Sequence, residues 1–177
     1  MFHIKHHVSL VKFEKLLCMC KNTKYKTIYI ILEIMLNYNI RKLTNLDYNK
    51  YLVMINEFRT TVFTEEQFIE TLQYIKPFSE IWVIEKDDDI IATGTIIYEK
   101  KFIFNCVKLA HIEDVCVKEK YRKFGFGKKI VNHLMNEAKK QECYKVTLVC
   151  NESNIGFYEN CGMEMRGVQM SQLTSIL

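Results

Sequence analysis

What this chain has little of narrows its class before any motif is read. Proline occurs once, at Pro77, and glycine six times in 177 residues, so no low-complexity linker divides the chain. The length suits one globular domain, or one domain with an extension. Seven cysteines, an odd number, stand at Cys18, Cys20, Cys106, Cys116, Cys143, Cys150 and Cys161 without a C-x-x-C pair. That spacing argues against a zinc site or a disulfide scaffold and reads as reduced thiols in an intracellular protein.

Acids are scarce at the start. Six of the 25 lysines and arginines but only two of the 21 acids lie in Met1 to Leu36, so 19 of each remain and the body is neutral. A basic face dense enough for nonspecific nucleic-acid binding is therefore not expected. The longest apolar run there, Ile28 to Leu36, is broken by Glu33 and falls short of the roughly 20 residues that a membrane span needs. No small-residue cleavage site follows it, so a secretory signal is not expected either. Residues 1–36 read as an extension: disordered, an amphipathic helix on the body, or an organellar targeting peptide. His3, His6 and His7 lack acidic or thiol partners and read as solvated, not as a metal site.

An ordered domain, residues 37–177, begins with alternation over Tyr38 to Leu43, a first strand. Asp47 suits an N-cap for a helix carrying Tyr51, Leu52, Ile55, Phe58 and Val62 at helical spacing. Thr64 and Gln67 form a capping-box pattern for a second helix, with Phe68, Leu72 and Ile75 as its stripe and Pro77 as its end. Ile81 to Glu85, a turn over Lys86 to Asp89, and Ile90 to Tyr98 read as a hairpin, its three aspartates a solvated turn rather than a metal site. A wider connection, Phe102 to Cys106, leads to a central strand at Val107 to Val117. A helix over Lys128 to Gln141, a strand over Tyr144 to Cys150, a short helix over Asn154 to Asn160 and a last strand over Met163 to Met170 complete the order. Strands in a run, the later ones separated by helices, predict an α/β (α+β) fold with a mixed sheet flanked by helices on both faces.

The chemistry concentrates between Ala110 and Gly127. In R-K-F-G-F-G-K, Arg122 to Lys128, Gly125 and Gly127 permit positive φ and close approach of a ligand, and the amides opening the next helix can converge on an anion. The spacing is not the dinucleotide fingerprint, since Ile130 stands where the third glycine would be. It is not a phosphate-binding P-loop either. Just upstream, Glu113 and Asp114 are adjacent on the strand, where strict alternation would send them to opposite faces.

R-x-x-G-x-G between a strand and a helix, with N-I-G-F-Y-E-N-C-G-M from Asn154 to Met163, resembles the acetyl-CoA-binding core of the GNAT superfamily of N-acetyltransferases. K-F-I-F-N-C (Lys101 to Cys106), H-I-E-D-V-C-V (His111 to Val117), C-Y-K-V-T-L (Cys143 to Leu148), G-V-Q-M (Gly167 to Met170) and F-R-T-T-V (Phe58 to Val62) resemble its glucosamine 6-phosphate N-acetyltransferase family. The likeness spans about Ile40 to Met170.

The resemblance implies a GNAT fold and direct acetyl transfer from acetyl-CoA to the amine of glucosamine 6-phosphate, toward UDP-N-acetylglucosamine, by a cytoplasmic homodimer without a metal. By the same resemblance Arg122, Lys123, Phe124, Gly125, Phe126, Gly127, Lys128 and Asn154 bind the cofactor, with Val115, Cys116 and Val117 beside its thioester. Tyr158 meets the leaving thiolate, and Glu113 and Asp114 line the amine site, Glu113 toward the amine. Thr60, Lys101, Phe104, Tyr144 and Lys145 contact the sugar or its phosphate. Three positions depart from the family pattern: Val149 replaces an acid, Phe104 a histidine and Leu173 an arginine. Cys116 reads as a wall residue and not a nucleophile, since no histidine is patterned to activate it. The alternative readings are a GNAT-fold enzyme for a protein or polyamine amine, and a non-catalytic acetyl-CoA-binding protein.

Overall fold

A computed structural model describes residues 36–174. The expectations for the extension, including its histidines and Cys18 and Cys20, fall outside the described residues. Five strands form, β3 buried on both faces over Ile90 to Ile96: β1 (Asn39–Lys42), β2 (Ser79–Lys86), β3 (Asp89–Lys100), β4 (Lys108–Val117) and β5 (Cys143–Thr147). They lie in the order β1-β2-β3-β4-β5. The first three pairings are antiparallel and β4 pairs β5 in parallel, so the sheet is mixed, as expected. Asp87 and Asp88, at φ 50 and 61, form the β2–β3 turn in a conformation that aspartate tolerates.

Helices cover both faces. On one, α1 (Tyr48–Asn56) and α2 (Glu65–Ile75) bring Tyr51, Met54 and Phe68 against Leu43, Val83, Ile90 and Cys116. On the other lies α3 (Phe126–Lys140), whose Phe126, Ile130, Val131, Leu134 and Ala138 are buried. The spacing of those five residues draws a single apolar stripe. A Cβ built on Gly94 would lie 2.9 Å from Leu134 and 3.4 Å from Ile130, which fixes that side of β3 as the α3 face. A short helix, α4 (Ile155–Glu159), follows β5.

The capping box at Thr64 is present. The Gln67 amide donates to Thr64 Oγ1 at 3.3 Å, and the Thr64 amide donates to Gln67 Oε1 at 2.9 Å. Asp47 departs from its expected cap role. It precedes α1 but makes no side-chain bond to that helix's amides. Its carboxylate instead accepts from Arg41 at 2.7 and 2.8 Å and from Thr44 at 2.8 Å. An arginine fork outcompetes an amide for a carboxylate.

Helix α3 starts two residues earlier than expected, because Gly125 at φ 82 supplies its N-cap. The wide connection after β3 contains one irregular helical turn, Ile103–Cys106, with Phe104 and Asn105 at positive φ. The expected last strand, Met163 to Met170, does not form. Gly167 leaves the extended region at φ 80, no described strand pairs the segment, and Met165, Val168 and Met170 are 73, 95 and 93% exposed. Alternation without a neighbouring strand leaves backbone groups to water.

Candidate functional site

Register between β3 and β4 sets the site. Thr93 pairs with Cys116 while Thr95 pairs with Glu113, so two steps on β3 oppose three on β4. The extra residue is a β-bulge at Asp114, whose φ is 50. Strict alternation therefore fails across the acidic pair. Thr93 and Thr95 share a face, and their partners Cys116 and Glu113 share it too. That face belongs to α1 and α2, since Cys116 packs with Tyr51 and Met54. Val115 and Val117 turn to the α3 face, where Val115 lies 3.6 Å from a Cβ on Gly94 and Val117 3.6 Å from one on Gly127.

The sheet opens beside this bulge. The parallel β4–β5 ladder ends at His111 and Thr147, but β4 runs on to Val117. From Ile112 onward one edge of β4 has no β5 partner, and the wedge between Ile112–Val117 and the chain after Thr147 exposes backbone donors.

Charges around the wedge are coupled. Burial pushes the Glu113 carboxyl up from its ordinary value, the Asp114 charge pushes it further, and His111 opposes both. The Tyr158 phenol on α4 is also pushed up, first by burial, then by Cys150, Cys161 and Glu113. Tyr51, buried under α1, is pushed up to about 12 by burial and then by Asp114, against a bond from Thr93. A carboxyl, and a phenol near enough to feel its charge, thus lie by an open strand edge.

His111 is held at the apex of the wedge. Its Nε2 is 2.9 Å from Glu99 Oε2 and its Nδ1 3.0 Å from Thr147 Oγ1. The sequence singled out neither Glu99 nor Thr147 as a site residue, since the three residues come from three strands and meet only in the sheet. Burial raises the Cys116 thiol, Arg122 opposing, and its buried position fits a wall residue.

The glycine loop divides its labour differently from expectation. Gly125 takes the positive φ, and nothing lies within 4 Å of a Cβ there. Gly127 is helical and sits against Phe157, whose ring would be 3.1 Å from a Cβ, so this glycine docks α4 on α3. Amides of the first turn, from Phe126 to Lys128, lie ahead of the first amide bonded within the helix, that of Lys129, which donates to the Gly125 carbonyl at 3.0 Å, and remain available to an anion. The side chain of Phe126 is fully buried, edge-on to Tyr38 and Tyr121, which leaves only its backbone for a ligand. Arg122, Lys123 and Lys128 are exposed and form no ion pair among the described residues. Arg122 Nε donates to the Val117 carbonyl at 3.0 Å, tying loop to strand. Asn154, exposed, stands at the N-cap position of α4 without a side-chain bond to that helix.

The remaining expected residues lie around two loops and β5. Thr60 is exposed in the loop after α1, which Asn56 braces through bonds to Thr61 at 3.0 and 3.1 Å. Lys101 is ion-paired with Glu99. Phe104 and Tyr144 are exposed rings with centroids 5.8 Å apart, and Lys145 is exposed on β5. Val149 is 55% and Leu173 88% exposed.

The acetyltransferase (GNAT) family pattern matches residues 39–163. Glucosamine 6-phosphate N-acetyltransferase 1 of Dictyostelium discoideum is 40% identical over 131 residues, 71% of this chain and 83% of that protein. Glucosamine 6-phosphate N-acetyltransferase of Arabidopsis thaliana is 39% identical over 142 residues, 76% of this chain and 95% of that protein. The crystal structure of the Arabidopsis enzyme superposes with a TM-score of 0.75 at 38% identity, covering 78% of this chain and 99% of that one.

Proposed function

The chain belongs to the acetyltransferase (GNAT) family, and from that premise we propose that residues 37–177 move acetyl from acetyl-CoA to the amine of D-glucosamine 6-phosphate. The product is N-acetyl-D-glucosamine 6-phosphate, a precursor for UDP-N-acetylglucosamine. The observation that carries this reading is the parting of β4 and β5 beyond His111 and Thr147, with Glu113 on the unpaired stretch of β4 beside the opening. The names of the two relatives above support the acceptor.

In this scheme the first-turn amides of α3, with Arg122, Lys123 and Lys128, receive the cofactor's pyrophosphate at a helix N-terminus. The thioester enters the wedge, where an unpaired β4 amide near Val115 polarises its carbonyl. One such donor contributes roughly 3 kcal/mol to the transition state, and holding both reactants together supplies much of the rest. Glu113 holds the acceptor amine by charge. Tyr158, its phenol kept protonated by burial, donates to the departing thiolate.

No acyl-enzyme forms, because Cys116 is buried and its thiol raised. No step calls on a metal. Lys145 and Lys101 face the sugar phosphate, with Thr60, Phe104 and Tyr144 beside the ring. The exposed apolar residues Met165, Val168 and Met170 support a homodimer in which this segment meets a second copy, and we place the enzyme in the cytoplasm. Assays of glucosamine 6-phosphate, a peptide amine and spermidine with one acetyl-CoA preparation test the acceptor. Turnover of the sugar is expected, and turnover of the peptide alone contradicts it.

A further inference from the structure

We propose that Thr147, His111 and Glu99 form a proton relay that strips the acceptor ammonium at the apex of the β4–β5 wedge, standing in for the carboxylate that Val149 lacks. The inference rests on the amine-acetylating reading above. Three observations carry it.

Geometry comes first. The three groups run in the order carboxylate, imidazole, hydroxyl, with separations of 2.9 and 3.0 Å. A carboxylate only accepts hydrogen bonds, so Nε2 carries the proton that Glu99 accepts. In the neutral ring Nδ1 is then the acceptor, and the Thr147 hydroxyl donates to it. That leaves lone pairs on Thr147 Oγ1 free for an incoming N–H.

Position comes second. His111 and Thr147 are the last paired residues before the strands part. His111 also lies two residues from Glu113 on an unbulged stretch of β4, so the two side chains share a face. A substrate amine held by Glu113 therefore has the Thr147 hydroxyl at the closed end of the same cleft.

Chemistry comes third. An amine attacks a thioester only as the free base, and an ammonium must first lose a proton. Val149 cannot accept one. In the relay the ammonium proton moves to Thr147 Oγ1 as the hydroxyl proton moves to His111 Nδ1. The imidazolium so formed lies against the Glu99 carboxylate and later releases its proton to water. The freed amine then adds to the thioester carbonyl. Collapse breaks the C–S bond, and the thiolate takes up the remaining N–H proton through Tyr158. One proton leaves per turnover, as amide formation from an ammonium requires.

The charged groups around the imidazole are Glu99 on β3 and its partner Lys101 just beyond that strand, Glu113 on β4, and Lys145, which shares the face of Thr147 on β5. Glu99 divides its two oxygens between Lys101 and His111.

The test compares wild type with Thr147→Val, Thr147→Ser and His111→Gln across pH 6.5 to 9.5, reading kcat/KM for whichever amine the wild type acetylates. Below the amine's own pKa, variants without the relay must wait for the free base, which rises tenfold per pH unit. Thr147→Val and His111→Gln should lose about 100-fold near pH 6.5, within the usual range for acid–base catalysis, and recover to within about threefold at pH 9.5. Thr147→Ser should follow wild type. Acetyl-CoA affinity and melting temperature should hold in all three, which separates the relay from a folding defect.

A loss equal at every pH, no loss, or a Thr147→Ser profile like that of Thr147→Val overturns the relay. An acetyl ester on Thr147 in mass spectra after acetyl-CoA alone overturns it in favour of covalent transfer. Wild-type turnover on another amine but not on glucosamine 6-phosphate refutes the acceptor alone and leaves the pH comparison valid. Wild-type inactivity on every amine overturns both.

Discussion

Glu113 and Cys116 lie on the same face of β4 although they are three positions apart, because Asp114 is bulged out of the strand between them, opposite the Thr95 to Thr93 step of β3. The bulge sits where the sheet opens, and it decides which side chains line the cleft. Bulges commonly re-aim a side chain next to a reacting group.

Glu113 acts as a carboxylate in this account, so activity should fall as pH drops through its raised pKa, an acid limb above the ordinary glutamate value. Asp114 contributes to the upward shift after burial. Removing its charge in Asp114→Asn should move the limb to lower pH, and Glu113→Gln should abolish it. A limb unmoved by Asp114→Asn in kcat/KM profiles would show that the two carboxylates are not coupled.

Gly125 and Gly127 should fail differently. Gly125→Ala forces a Cβ into a left-handed turn and should cost about 1 kcal/mol of stability while weakening acetyl-CoA binding. Gly127→Ala brings a Cβ to 3.1 Å from the Phe157 ring, so the ring must give by a few tenths of an ångström, and this should shift α4 and with it Tyr158. Calorimetric binding against kcat separates the two: Gly125→Ala in affinity, Gly127→Ala mainly in kcat.

Asp47 is a stability group rather than a site residue. Burial opposes its charge, but bonds from Arg41 and Thr44 win and hold its carboxyl down at about 2. A depressed carboxyl stabilises the fold fully above its unfolded value near 4, and that contribution is lost as pH falls through about 2. A shift of about two units corresponds to roughly 2 to 3 kcal/mol at neutral pH. Asp47→Ala should show at least that loss in urea unfolding at pH 7, and the difference should shrink toward pH 2.

Sequence reached the local features of this molecule and missed the ones made by neighbouring strands. The Thr64–Gln67 box was legible because both partners sit within one turn. The Arg122 to Lys128 loop was legible because a helix N-terminus and its glycines are contiguous. Asp47 read as a helix cap, since the competing Arg41 fork depends on β1 lying beside the turn before α1. The bulge at Asp114 was hidden because it is a mismatch with β3, and one strand's sequence shows alternation only. His111 and Thr147 fall inside segments the resemblance covers, but nothing in the sequence grouped them with Glu99, since the pairs are 12 and 36 residues apart in the chain and joined only by sheet order. Met163 to Met170 alternates like a strand, yet no described strand lies beside it.

The central claim is that Glu113 and Tyr158, facing the wedge between β4 and β5, carry acetyl transfer to glucosamine 6-phosphate. Its most direct test is an initial-rate assay with acetyl-CoA and that sugar, on wild type, Glu113→Ala and Tyr158→Phe, with acetyl-CoA affinity measured on each. The account predicts wild-type turnover and a fall in kcat of about 100-fold or more in either variant, with cofactor affinity within about threefold. A wild type that binds acetyl-CoA but leaves the sugar unacetylated, or variants that turn over at the wild-type rate, would contradict it.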